Sequence, residues 1–372
     1  MTAEIRGVLV DATNALLPSG GGVQVCNEDY RRLLGVAGFA LTEVPFDLDT
    51  RFPMRIVARI YGRMRSAAVP RGLTERVRQA VAEQEAQFVF FGLTRFTALS
   101  RDLRRSLPNV KQVLLSHGTE TIDYCIAKEL AWRNGARNRS TGRTGRVVGV
   151  ELLGEFELRR YIDAALTLSS FEEELEKWFG TPVAKWIPRF IRGNPLNTVP
   201  VDGRVGCVAT LSHPPNKHGL WSLCDALARR KASLEFRIVG GPEHEGRMLS
   251  DRYSFVNYLG PLGDEALRYE ASSWCCFVNP LFVNAKGCST KLALGLGWNL
   301  PIATTGFGAR GYQWDPTLLP LAHTAEELAE TVEERSRADS FREGQSQTQA
   351  VAQQMPSISE VAAMVRRNLV GG

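Results

Sequence analysis

The sequence predicts an α/β fold made of two Rossmann-like domains whose parallel sheets face a central cleft. Segments with the patterning of buried strands alternate with segments of helical periodicity along the chain, which is typical of parallel sheets covered by helices. The chain has 372 residues, more than one hydrophobic core usually supports, so two domains are expected. The stretch from Ile187 to Val201 contains three prolines and two asparagines without a helical period, which favours a linker between the domains.

The first domain is expected over residues 1–190. Its helices are predicted over Val23–Gly35, Leu73–Glu85 and Arg101–Leu107, where apolar residues recur at helical spacing. Short apolar runs between them predict strands. These strands are Ile5–Val10, Leu41–Val44, Phe88–Phe91, Val113–Ser116 and Ala164–Leu168.

A second domain is expected over residues 200–350, where the same alternation restarts. Its first predicted elements are the strands Val205–Thr210, Phe236–Val239 and Val256–Leu259 and the helices Leu220–Arg230 and Asp264–Glu270. A βαβ unit follows them. It consists of the strand Trp274–Val278, a loop with Gly287, a short helix that carries Lys291, and an apolar strand that ends at Thr304 and Thr305.

The loop and helix of this βαβ unit have the composition of a phosphate site. Ligands of open α/β sheets bind outside the carboxyl ends of strands, where helix N-termini offer unpaired N–H groups. Gly287 lets the backbone approach a ligand, Ser289 and Thr290 can cap the helix, and Lys291 adds a positive charge. The alternative is a structural turn with a solvated lysine.

The same residues resemble a known family. The order NPL…GCSTKL…NLPIATT…GARG, with Gly287, Lys291, Pro301, Gly308 and Gly311, resembles the donor-site signature of GT-B fold glycosyltransferases of family 4. The resemblance implies transfer of a sugar from a nucleotide-sugar donor to a glycan or lipid-linked acceptor, with retention of configuration and without a metal or cofactor. It also implies that the first domain binds the acceptor, that the second binds the donor, and that a C-terminal helix near residues 355–372 packs back on the first domain.

The resemblance assigns roles to particular positions. Gly20–Gly22 matches a glycine loop that faces the diphosphate and acceptor, and His117 matches a histidine beside the donor sugar, so that His117 and Lys291 are the catalytic candidates. Lys217 matches a lysine that holds the diphosphate, although Thr210 stands where an arginine is usual and the alignment of this loop is ambiguous. The expected donor-binding residues are Gly21, Gly22, Asn216, Lys217, Gly287, Ser289, Thr290, Lys291 and Gly308.

The chain departs from the family pattern at two carboxylates. Many members carry two glutamates eight positions apart, for the donor sugar and the ribose, and these positions fall near Lys286 and at Leu294. Leucine cannot accept hydrogen bonds from ribose hydroxyls, whereas Lys286 can meet a phosphate or an acidic sugar. Two rival hypotheses follow, a catalytically silent GT-B scaffold or binding protein and a sugar-nucleotide epimerase on the same fold.

Basic residues are concentrated in two stretches. Six arginines and no acidic residue lie between Arg51 and Arg71, and the spacing of Arg55, Arg59 and Arg63 places them on one helical stripe. This stripe is expected to bind an acceptor or an anionic membrane surface, with merely solvated arginines as the alternative. Nucleic acid is not expected, because no recognised binding motif accompanies the arginines. The second basic stretch, residues 133–146, is expected to be a loop.

Composition limits the remaining classes of function. Seven cysteines form no CxxC pair, so neither a disulfide framework nor a metal site is expected. No apolar run is long enough to cross a membrane and the N-terminus lacks a signal-peptide pattern. We therefore expect a cytoplasmic protein, peripheral at the inner membrane face if the arginine stripe binds lipid. Glu155 and Asp163 resemble a structural pair in the family.

Overall fold

The computed structural model describes residues 4–12, 22–46, 71–133 and 141–371. The chain divides into two compact units. The first comprises residues 1–125, 135–188 and 357–372, and the second comprises residues 126–134 and 189–356. The arginine stripe of Arg55, Arg59 and Arg63 lies outside the described residues.

The first unit contains a parallel sheet with the strand order β2-β1-β3-β4-β5-β6. All four residues of β3 are buried, as expected for a strand covered on both faces. β6, which the sequence analysis did not predict, is short and only partly buried. The strands are β1 Ile5–Ala12, β2 Phe39–Phe46, β3 Phe88–Phe91, β4 Lys111–Leu115, β5 Ala164–Thr167 and β6 Val183–Trp186.

Helices connect these strands. The prediction of a loop over residues 133–146 is wrong in part, because residues 141–146 form the first turns of α5. Residues 147–159 continue the same helix and include the buried Glu155 and Arg159, so packing of these later turns supports the glycine-containing start. The helices are α1 Gly22–Val36, α2 Arg71–Gln84, the 3₁₀ turn Thr94–Leu99, α3 Ser100–Ser106, α4 Glu120–Arg133, α5 Thr141–Arg159 and α6 Ser170–Trp178.

The C-terminal segment belongs to the first unit. Its helix begins after Ser357, which forms a capping box with Glu360. Arg366 donates to the carbonyl oxygen of Ala37 at 2.9 Å, and the Lys111 ammonium donates to that of Leu369 at 3.0 Å. These contacts join the end of the chain to α1 and β4.

The second unit contains another parallel sheet, with the order β11-β10-β7-β8-β9. Its strands β7 and β10 carry fully buried residues such as Cys207 and Phe277. The strands are β7 Arg204–Val208, β8 Glu235–Val239, β9 Val256–Gly260, β10 Cys276–Asn279 and β11 Ile302–Thr304.

The helices of the second unit separate these strands and continue beyond the last one. No helix in the described part of the chain is both long and apolar enough to cross a membrane. These helices are α7 Pro214–Arg230, α8 Glu243–Arg252, α9 Asp264–Ala271, α10 Thr290–Trp298, α11 Ala325–Arg335 and α12 Phe341–Gln354. The C-terminal helix of the first unit is α13 Ile358–Val370.

Candidate functional site

The loops that follow β7, β10 and β11 meet at one edge of the second sheet. These three strands are neighbours and parallel, so their carboxyl ends lie side by side. In an open α/β sheet this edge is the usual place for a ligand. Hydrogen bonds at this edge involve five of the nine residues that were assigned to the donor, namely Asn216, Gly287, Ser289, Lys291 and Gly308.

Lys291 lies in the first turn of α10 and its ammonium reaches the start of α7. It donates to Asn216 Oδ1 at 2.8 Å, and Asn216 Nδ2 donates to the carbonyl oxygen of Thr210 at 2.9 Å. Lys291 is partly buried, and this burial lowers its pKa. No carboxylate of the described residues pairs with it. Its positive charge is therefore held by a neutral amide.

Asn279, the last residue of β10, joins three segments at this edge. Its side chain is fully buried. Its amide nitrogen donates to Thr304 Oγ1 at 3.0 Å and to the carbonyl oxygen of Gly308 at 3.2 Å, while its amide oxygen accepts from Ser289 Oγ at 3.2 Å. One side chain thus fixes the start of α10, the end of β11 and the turn after β11. Asn279 was not among the site residues predicted from the sequence, because its partners are known only from the fold.

The two glycine loops are fixed by backbone geometry and by Arg310. Gly287 has a φ of +70°, a conformation that favours glycine. Arg310 Nε donates to the carbonyl oxygen of Gly287 at 2.7 Å, and the guanidinium also bonds to Asn284. A Cβ atom at Gly308 would lie 2.4 Å from Thr304 Oγ1. Gly308 therefore serves close packing beneath the site.

Lys217 directly follows Asn216, the partner of Lys291, but its own side chain has a different partner. Its ammonium lies 2.7 Å from Glu245 Oε1, and the glutamate is well buried while the lysine is more exposed. The pair places a negative charge beside the cation that was expected to hold a diphosphate. No local sequence pattern predicts this contact, since Glu245 lies 28 positions away on α8.

Lys286 and Leu294 occupy the two positions where many family members have glutamates. Leu294 is partly buried and packs against the apolar core that contains Phe277. Lys286 is partly buried in the loop before Gly287. A hydrogen-bond acceptor for sugar hydroxyls is thus absent from both side chains.

The first unit also places polar residues at the carboxyl end of its sheet. His117 is buried in the loop after β4, and its ring lies 5.7 Å from that of Tyr30 in an edge-to-face contact. The Tyr30 hydroxyl bonds to the carbonyl oxygens of Ser116 and Leu166. The histidine is therefore held by α1 as well as by its own loop.

Asp11, which the sequence analysis did not single out, lies at the same end of the sheet. It is buried in β1, accepts a hydrogen bond from Asn27 at 2.8 Å and pairs with Arg31 at 2.6 Å. Asp11 precedes the glycine loop in the sequence. Gly21 lies outside the described residues, whereas Gly22 is the exposed first residue of α1.

Glu155 and Asp163 make hydrogen bonds to backbone and side-chain groups of the first unit. Glu155 accepts from the backbone N–H of Glu120 at 2.8 Å and from the Thr121 hydroxyl at 2.6 Å, and burial raises its pKa. Asp163 accepts from the backbone N–H of Gln112 and pairs with Arg104 at 2.5 Å. Within the described ranges, no group of three or more His, Cys, Asp or Glu side chains is placed to hold a metal ion.

Comparisons with known proteins identify the fold. No protein-family model matches the sequence, and no curated protein matches it. Among solved structures, the chain is similar to sucrose-phosphate synthase from Thermosynechococcus elongatus, with a TM-score of 0.63, 15% identity and 97% coverage of both chains. It is also similar to an α,α-trehalose-phosphate synthase (UDP-forming) from Burkholderia xenovorans in complex with glucose-6-phosphate, with a TM-score of 0.64, 10% identity, and coverage of 99% of this chain and 100% of the other.

The chain is also similar to a third solved structure, named trehalose-6-phosphate from E. coli bound with UDP-2-fluoro glucose. Its TM-score is 0.61 at 12% identity, with 97% of this chain and 98% of the other covered. These neighbours are GT-B glycosyltransferases that match over nearly the whole chain. At such identities the similarity shows the fold, and the chain has the GT-B fold.

Proposed function

We propose that this GT-B chain is a retaining glycosyltransferase that moves a sugar from a nucleotide-sugar donor to a glycan or lipid-linked acceptor. The observation that carries the proposal is the ammonium of Lys291, a partly buried cation in the first turn of α10 that donates to the neutral amide of Asn216 and pairs with no carboxylate of the described residues. The solved neighbours are nucleotide-sugar glycosyltransferases, which supports the same reaction class.

The chemical demand of this reaction falls on the leaving group. Cleavage of the bond between the sugar and the diphosphate builds negative charge on the diphosphate. A fixed cation and the N–H groups of a helix N-terminus stabilise that charge without reorganising. Lys291 and the first turn of α10 provide both, and Gly287 lets the backbone approach the phosphates.

The other assigned residues take supporting roles in this proposal. Asn216 orients the Lys291 ammonium, and Thr290 and Ser289 contribute backbone N–H groups. Lys217 adds a second charge that Glu245 partly offsets. For His117 we propose the role that the family resemblance implies, which is to position or polarise the transferred sugar. Retention and independence from metals and cofactors also rest on that resemblance.

The acceptor belongs to the first unit in this proposal, and the arginines at 55, 59 and 63 bind an anionic acceptor or membrane surface. This part rests on the sequence, because those residues lie outside the described ranges. Vesicles that contain anionic lipid test it. If the triple substitution of Arg55, Arg59 and Arg63 by alanine leaves vesicle binding unchanged, the membrane part is wrong.

The donor is tested by ligand binding followed by turnover. Thermal-shift titration with UDP, GDP, dTDP, ADP and CMP compounds and their sugars identifies the nucleotide that stabilises the protein. We expect Lys291→Ala to lose most of that stabilisation. The chosen nucleotide sugar is then incubated with the protein and candidate acceptors, and release of the nucleotide is measured. Release that depends on an acceptor supports the transferase.

A second candidate, a silent GT-B binding protein, is favoured by Leu294 and Lys286, which offer no carboxylate to the sugar or ribose. Such a protein binds a nucleotide but releases none from any donor. Conversion of the donor sugar without an acceptor would instead indicate epimerase chemistry. The same incubation therefore separates the three reactions.

A further inference from the structure

Serine and threonine cap several helices of this protein in the same way. Ser169 accepts from the backbone N–H of Glu172 at 3.3 Å, Thr324 from that of Glu327 at 3.1 Å, and Ser357 from that of Glu360 at 3.2 Å. In each helix the hydroxyl satisfies the N–H of the third helical residue, which otherwise has no partner in the helix.

Ser289 occupies the same position in α10 but does not cap it. Its backbone is extended, with φ −78° and ψ 102°, as expected of a capping residue, yet its side chain makes no capping hydrogen bond. The hydroxyl instead donates to Asn279 Oδ1 at 3.2 Å. The corresponding third helical residue, Leu292, therefore receives no hydrogen bond from Ser289.

Asn279 is placed to hold the hydroxyl in that position. Its amide nitrogen is fixed by Thr304 Oγ1 and by the carbonyl oxygen of Gly308, so its oxygen points toward Ser289. The side chain is fully buried, which keeps water from competing for these bonds. The orientation of the amide is thus set by the end of β11 and the turn after it.

We infer that Asn279 is a positioning residue that withholds the Ser289 hydroxyl from α10 and so keeps the N–H groups of its first turn available to the diphosphate of the donor. The inference rests on the proposed donor site. It adds that the N-terminus of α10 is left uncapped because Asn279 accepts the hydrogen bond of Ser289, the residue at the capping position.

The expected result concerns two variants. In Asn279→Ala the hydroxyl loses its acceptor and is free to cap Leu292, so a diphosphate must displace it. We expect the Kd for the nucleoside diphosphate that stabilises the wild type to rise about 5- to 30-fold, the factor that corresponds to a capping hydrogen bond. In Asn279→Ala/Ser289→Ala no hydroxyl remains to cap the helix, and we expect most of the lost affinity to return.

Rescue separates this role from a general loss of packing. If Asn279 only stabilised the fold, the second substitution would leave the affinity low or lower it further, and the inference would be overturned. Equal Kd values for wild type and Asn279→Ala would also overturn it. If the wild type binds no nucleotide or inorganic pyrophosphate, the proposed function has failed instead.

Hydrogen exchange of the ligand-free protein gives a second readout. The backbone N–H of Leu292 should exchange more slowly in Asn279→Ala than in wild type and return toward the wild-type rate in the double variant. Thr348→Val is a control, since it removes another buried side-chain bond of the second unit, to Leu300, and should change neither Kd nor this exchange rate. If Asn279→Ala does not fold, Asn279→Ser replaces it, because the smaller cavity is less costly. Unchanged exchange in a folded variant would contradict the inference.

Discussion

Arg159 in the first unit and Lys291 in the second are both cations withdrawn from water, but their partners differ. Arg159 is fully buried, and its guanidinium makes two bonds to the carboxylate of Glu176, at 2.7 and 2.8 Å. Burial acts to lower the pKa of Arg159, but the charge and hydrogen bonds of Glu176 raise it overall. Lys291 is only partly buried, bonds to a neutral amide, and has a lowered pKa.

The difference distinguishes a charge that is neutralised within the fold from one that the proposed function assigns to ligand binding. Arg159 has its counter-charge inside the fold and has no need of a ligand. Lys291 has no counter-charge among the described residues, so an anionic ligand would supply it. Arg159 is thus expected to contribute to stability, and Lys291 to ligand binding. Each of these contributions can be measured.

The largest expected effect is on the structural pair. Glu176→Ala leaves Arg159 buried without a carboxylate partner, which should lower the free energy of unfolding by about 3–5 kcal/mol. Urea denaturation measures this loss. Glu157→Ala is the control, because Glu157 lies on the helix of Arg159, is exposed, and makes only a loose 4.0 Å ion pair with Arg101, so no measurable change is expected. A small effect of Glu176→Ala would remove the contrast between the two cations.

The second effect is the pH dependence of nucleotide affinity. In the proposed site the anion binds the protonated form of Lys291, whose pKa is lowered by burial. Affinity should therefore be full below this lowered pKa and fall as pH rises through it, in a range below the usual titration of lysine, by about tenfold or more. Calorimetry from pH 7 to 10 measures the change. Lys291→Arg, which stays charged, should show a flatter profile, and equal profiles would contradict the assignment.

The third effect is on the stability of the ligand-free protein. Because the pKa of Lys291 is lower in the folded than in the unfolded state, protonation there opposes folding, and stability from this group rises as pH rises through the folded pKa. Lys291→Met should accordingly leave the free energy of unfolding at neutral pH unchanged or raise it by at most about 1 kcal/mol. Urea denaturation of Lys291→Met and Glu176→Ala, each compared with the wild type, measures the two changes in the free energy of unfolding. A loss of several kcal/mol would place Lys291 among the structural charges.

The smallest effect concerns Lys217. Glu245 lies 2.7 Å from its ammonium. Lys217 therefore has a carboxylate partner, as Arg159 does, but it is more exposed than Arg159. Glu245→Gln should free Lys217 for the diphosphate and lower the Kd by up to about fivefold, the scale of a partly exposed ion pair. Glu243→Gln, an exposed position on the same helix, serves as the control. A weaker affinity in Glu245→Gln would show that this carboxylate contributes to binding.

Much of the fold could be predicted from sequence because apolar periodicity is local. Phe88–Phe91 was predicted as a strand and forms β3. The helix that carries Lys291 was predicted between two strands, and it lies between β10 and β11. The partly buried strand Val183–Trp186 was missed, since it is short and lacks a continuous apolar run. Residues 141–146 were expected to be a loop because the stretch 133–146 is rich in glycine, serine and asparagine, which do not favour helix.

The site could be predicted only to the level of its loops. Gly287, Ser289 and Lys291 were predicted as site residues because they are close in sequence and match a motif, and that assignment stays a prediction. The contacts that decide their chemistry connect Lys291 with Asn216 across 75 positions and Asn279 with Thr304 across 25. Side chains from separate loops meet only once the sheet has formed, so no local pattern records these pairs.

The most direct test of the account is a calorimetric titration of wild type and Lys291→Met with the nucleoside diphosphate that stabilises the protein. A hydrogen-bonded charge on a phosphate contributes about 1.5–3 kcal/mol, so we expect the Kd to rise by roughly 10- to 100-fold in Lys291→Met. Thr348→Val should keep the wild-type Kd. If Lys291→Met binds the nucleotide as tightly as the wild type, Lys291 does not bind the diphosphate, and the central claim is contradicted.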